Sequence, residues 1–143
     1  MSQAVTRFHA AQAAIDVFAG RQLAWGKHDC VRLVRFTMHH LGVGLPMLKG
    51  VRYRTEDGAI RAMKKLGLSG LDAGVDRAGL PRIAPARALL CDIVALPADD
   101  PFKAALMVNV GNGRLLGVVP GERRFAILQP AEYLAAWSVL GHG

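Results

Sequence analysis

The sequence predicts an α+β fold, with N-terminal helices packed on one face of a small antiparallel meander sheet. Three observations carry this. Apolar residues recur at three- and four-residue steps through the first half of the chain, and from residue 92 onward they fall in short runs of strand length. Turn signals then cut the second half at short intervals: Ala98-Asp99-Asp100-Pro101, Gly111-Asn112-Gly113 and Pro120-Gly121-Glu122. Finally, 143 residues, 52% of them hydrophobic and 20% charged, suit one domain (1–143) with a substantial core and exclude a disordered chain.

Each element has its own local reason. Residues 8–19 are alanine-rich, with Phe8, Ile15 and Phe18 near helical spacing and Gly20 as the stop. A loop over 21–27 leads to a second helix over 30–41. Its apolar set Cys30, Leu33, Val34, Thr37 and Leu41 follows i, i+3, i+4, i+7, i+11, which turns Cys30 toward the core. Residues 42–53 hold Gly42, Gly44, Pro46 and Gly50 and read as a loop. Thr55 caps a third helix that runs to Leu66 and closes at Gly67. Ala59, Met63 and Leu66 form its inner stripe; Arg61, Lys64 and Lys65 face out. Residues 68–88 are broken by glycine and proline, with a short helix over 72–78. Strands follow at 92–96, 104–110, 114–119 and 124–128, the middle pair joined by the Gly111-Asn112-Gly113 hairpin. Pro130 opens a short helix over 131–136, and 137–140 adds an edge strand.

The formal charge is +7, with basic residues scattered along the chain and no nucleic-acid motif beside them. A solvated basic surface is the expectation, and specific nucleic-acid binding is not. No run of 18 apolar residues would span a membrane, and the first twelve residues lack a basic-then-apolar export pattern. Two cysteines are too few for a disulfide scaffold. No pair among His28, Cys30 and Cys91 has zinc-type spacing, so neither a metal nor a cofactor is expected.

The chemistry concentrates in Trp25-Gly26-Lys27-His28-Asp29-Cys30. Asp29 is an N-cap, its carboxylate accepting from free N–H groups of the turn that follows. Cys30 then opens the helix, where the dipole and exposed N–H groups favour a thiolate. A nucleophilic cysteine also needs a base. His39 and His40 lie nine and ten residues along the same helix, roughly 14 Å away at about 1.5 Å per residue. His9 is in the first helix and His142 is the last residue but one. His28 is the nearest, but it must fold back over the capping turn to reach Cys30.

This order of elements resembles the NlpC-type cell-wall cysteine peptidases of the papain-like class. In that family an aromatic-Trp-Gly-x-x-Asp-Cys turn opens the nucleophile helix, and Trp25, Gly26, Asp29 and Cys30 match it. A Gly-Asp-Leu/Val strand start has its counterpart in Cys91-Asp92-Ile93-Val94, with the glycine replaced. The family's His-Val-Gly-Ile-Tyr-Leu-Gly-Asn-Gly strand and turn corresponds to Ala105 through Gly113. The base position therefore holds Ala105, and the third polar position falls on Gly117. Asn109 shares a strand face with Ala105 and is a candidate hydrogen-bonding group near the thiol. An amide cannot take a proton.

Members that lack the base and keep a His-Asp-Cys turn resemble small proteins of bacteriophage and prophage tail modules. The resemblance thus implies a tail-tip or baseplate component in the virion, made in the host bacterial cytoplasm, on an inactive hydrolase scaffold. Its partners would be tail hub proteins rather than membrane or nucleic acid. Cys30 is then a retained nucleophile position, His28 a weak candidate base, and Trp25, Asp29 and Asn109 candidate binding residues. Two other readings stand beside it: an active peptidoglycan-cleaving peptidase or amidase using Cys30, and a basic module binding nucleic acid or another anionic polymer.

Overall fold

A computed structural model describes residues 2–47 and 50–140. Four α-helices, α1 Gln3–Phe18, α2 Cys30–His40, α3 Glu56–Lys65 and α4 Leu71–Arg77, precede a six-stranded antiparallel sheet. The strands are β1 Arg82–Ile83, β2 Ile93–Pro97, β3 Ala104–Gly111, β4 Arg114–Gly117, β5 Ala126–Leu128 and β6 Ala135–Trp137. A single 3₁₀ turn, Pro85–Arg87, follows β1. The sheet order is β1-β6-β2-β3-β4-β5, so the expected meander is present from β2 to β5.

The helices start where their side chains supply caps. Ser2, Asp29 and Thr55 accept from Val5, Arg32 and Gly58 N–H groups respectively. Glycines in the left-handed region follow all four helices: Gly20, Gly42, Gly67 and Gly79. The hairpin between β3 and β4 is closed by Asn112 (φ 54°) and Gly113 (φ 72°), the pair of positive φ values that a two-residue turn of matching twist requires.

The helices cover one face of the sheet. Leu33, Val34 and Met38 of α2 are fully buried together with Leu106, Val108 and Leu116 of β3 and β4. Each such side chain contributes roughly 1.5–3 kcal/mol on leaving water. The opposite sheet face carries a smaller cluster of Val94, Leu96, Met107, Leu115 and Ala136.

Three expectations are corrected. The segment over 131–136 is not helical: Ala135–Trp137 is strand, and it lies inside the sheet, between β1 and β2, not at its edge. Phe8 is exposed, and the buried members of α1 include Arg7 instead. Leu66 is also exposed, since α3 ends one residue before it.

Arg7 explains how α1 is fixed. Its guanidinium lies 3.0 Å from the Asp92 carboxylate, both fully buried, and donates to the carbonyls of Leu90 and Leu140. Asp92 also accepts from the N–H groups of Leu89 and Val139. The Asp of the strand-start motif is thus an anchor joining the first helix, the β2 start and the end of the sheet. The residue before it, Cys91, has φ 74°, a backbone conformation suited to glycine, and its thiol donates to the Arg7 carbonyl at 3.1 Å.

Candidate functional site: the Cys30 cleft

The turn before α2 is built around the Asp29 carboxylate, which is 1% exposed. One oxygen accepts from Arg32 N–H at 2.9 Å. The other accepts from Gly26 N–H at 2.8 Å and from the Tyr53 hydroxyl at 2.9 Å. Gly26 is required twice over. Its φ is 81°, and a Cβ there would sit 2.0 Å from the Tyr53 carbonyl oxygen. Trp25 stacks on Phe102 with ring centroids 5.4 Å apart and planes at 15°. The motif Trp-Gly-x-x-Asp therefore locks the loop against Tyr53 and Phe102 and sets Cys30 at the first position of α2.

Cys30 lines a cleft of about 380 Å³ together with Trp25, Asp29, Tyr53, Phe102, Ala104, Ala105 and the 118–123 segment. The base position expected from the family pattern, Ala105, thus lies in the wall of the cleft, and it offers a methyl group. Among the described residues no histidine lines it. The charged groups there are Asp29, Glu56, Asp100, Glu122 and Arg123. Gly117, the third polar position, cannot be replaced without disturbance: a Cβ there would meet the Met107 sulfur at 1.9 Å.

The thiolate expected at a helix N-terminus does not form here. Burial, followed by the charge of Asp29, pushes the Cys30 thiol up to about 12. Backbone N–H groups of Leu106, Cys30 and Val31 act in the opposite direction and are outweighed. Asp29 itself is engaged by three donors, so its carboxylate is positioned to hold the turn rather than to accept the Cys30 proton. The Tyr53 hydroxyl is raised by burial and by the same carboxylate, so it stays a donor.

The remaining sequence candidates are dispersed. His28 turns away from the cleft: its ring packs edge-on against Phe18 at 5.6 Å, and it lines a separate groove with Arg32, Arg35 and His39. His9 packs beside Phe8 on the exposed side of α1. His142 lies outside the described residues. Asn109 does not serve the thiol. Its amide donates to the Ala88 and Leu89 carbonyls and its oxygen accepts from Gly111, which fixes the loop before β2. Cys91 is a second free thiol under Arg7, so His28, Cys30 and Cys91 do not converge on a common point. Tyr53 is the residue that sequence reasoning missed. It lies at the end of a glycine-rich loop whose local pattern says nothing about Asp29.

Comparison with solved structures finds NlpC2 from Trichomonas vaginalis, with a TM-score of 0.57 and 16% identity over 93% of this chain. The chain spans about half of that protein, 47% of its length. At that identity the likeness speaks for the fold, which is NlpC-like. Comparison with curated proteins finds no match. In sequence, one family matches over residues 5–139, from the first helix to the last strand, and the chain belongs to it: the family described as a domain of unknown function (DUF6950).

Proposed function

We propose that this protein is a structural or assembly component of a phage or prophage tail tip, built on a cysteine-peptidase-like fold that no longer catalyses. The observation that supports the loss of catalysis is the Cys30 cleft. A neutral thiol faces an alanine at the base position, and the third polar position is filled by the Met107 thioether. Without a base the thiol has no route to the nucleophilic form near neutral pH. The tail assignment rests on the resemblance of the His28-Asp29-Cys30 turn to degenerate tail-module members of the superfamily. Docking on tail hub proteins would then use the outer surface rather than the cleft.

A second reading, an active wall-cleaving peptidase or amidase, is favoured by one observation: the cleft beside Cys30 persists and is walled by Trp25 and Tyr53. One experiment separates the two. Tail particles assembled with a tagged chain are purified, and the same preparation is incubated with peptidoglycan. The structural role expects the chain in the particle at fixed stoichiometry and assembly unaffected by Cys30→Ala. Absence from particles, together with Cys30-dependent release of wall peptides, overturns it.

A further inference from the structure

A second concavity on the surface has a different chemistry from the cleft. A groove of about 660 Å³ runs between α1 and α2, floored by Val17, Phe18 and Phe36. Its charged walls are Lys27, Arg32, Arg35 and Arg52, joined by His28 and His39. No carboxylate lines it. Lys27, Arg32 and Arg52 continue into an adjoining hollow that adds Arg54 and again no acid. At about 100° per residue, Arg32, Arg35 and His39 stand on the side of α2 opposite Cys30, so groove and cleft are separate.

Among the described residues none of these cations is in an ion pair. Among the described residues the ion pairs are those of Arg7 with Asp92 and of Arg82 with Asp72 and Asp76. Arg32 is held in place: its Nε donates to the Gly26 carbonyl at 3.3 Å and its guanidinium sits 5.4 Å over the Tyr53 ring. Its Nη1 is nevertheless buried without a hydrogen bond, and it is the one such side-chain atom among the described residues. A buried charged donor left unsatisfied is costly and asks for an acceptor. Four like charges gathered round one concavity repel one another, and a bound anion would remove that repulsion.

We infer that this groove is a binding site for an oligophosphate group, a run of two or three linked phosphates. A lone carboxylate would leave most of the four cations unanswered. Guanidinium groups pair with phosphate oxygens two at a time, and Lys27 adds a point charge. The volume is that of a small-ligand site, and four cations border this one groove, with Arg54 in the hollow beside it.

The test is calorimetric titration of the folded chain with tripolyphosphate at moderate salt. One saturable site is expected. Arg35→Gln with Arg52→Gln should weaken it by at least about tenfold. Lys64→Gln with Lys65→Gln, which removes the same charge from the outer face of α3, should change it less than about twofold. Arg32→Gln should also weaken binding, read alongside its melting temperature because that guanidinium packs on Tyr53. Absence of saturable binding overturns the inference. So does equal weakening by both double variants, which would mean a general basic field. Tighter binding to single-stranded oligonucleotides, with a stoichiometry that grows with their length, would mean a diffuse nucleic-acid surface and overturn it as well.

Discussion

Two residues show how backbone geometry constrains this chain where it matches the NlpC-type turn and strand-start pattern and where it differs from it. Gly26 is retained because nothing larger fits. Gly26→Ala would have to displace the Tyr53 carbonyl and hold alanine at positive φ, and it is expected to cost about 2–4 kcal/mol in urea unfolding. Cys91 is the opposite case, a side chain placed where the family has glycine, at φ 74°. Cys91→Gly relieves that backbone but loses a buried thiol and its bond to the Arg7 carbonyl. The two effects offset, and stability should change by less than about 1 kcal/mol. Cys91→Val puts a β-branched side chain in the same backbone and should cost more than about 2 kcal/mol. The replaced glycine was visible in the sequence. Its positive φ was not, because one cysteine carries no local sign of backbone conformation.

At the scale of elements, local signals and non-local partners divide what could be read. The starts of α2 and α3 were legible because Asp29 and Thr55 act on N–H groups three residues away. The β3–β4 hairpin was legible because its turn needs Asn-Gly chemistry. Strand β6 was not. Ala135, Ala136 and Trp137 have no alternation, being buried on both sides, and Pro130 reads as a helix start. What makes them a strand is pairing with 93–95 on one side and 82–83 on the other. Trp137 is held further by Asp76, which accepts from its ring N–H at 2.8 Å while pairing with Arg82. The Arg7–Asp92 anchor was equally hidden, since its partners are 85 residues apart. Arg7→Met should cost about 3–5 kcal/mol, because it takes the guanidinium away from a buried carboxylate. Arg7→Met with Asp92→Asn should recover part of that, as a double-mutant cycle would read.

At the scale of the whole molecule, an NlpC-like fold carries a cleft beside Cys30. The cleft position of Cys30 and Ala105 was legible from motif spacing. The state of the thiol was not. A helix N-terminus argues for a thiolate, and only the three-dimensional burial beside Asp29 reverses that balance. The same reversal gives the stability a pH dependence. Both thiols are raised from 9.0 to about 12 in the folded chain, so between these values the unfolded chain has lost thiol protons that the folded chain retains. Their contribution is therefore intact below pH 9 and declines as pH rises toward 12. Melting temperatures should fall over that window, and Cys30→Ala should make the fall shallower.

The central claim, that the scaffold persists without an activated nucleophile, is tested most directly by the rate of Cys30 alkylation against pH in the folded protein, with Cys30→Ala as the blank for Cys91. The account expects almost no reaction at pH 7 and a rise only well above pH 9, or on unfolding. A thiol that reacts rapidly at neutral pH, with a midpoint below about 7, would contradict it.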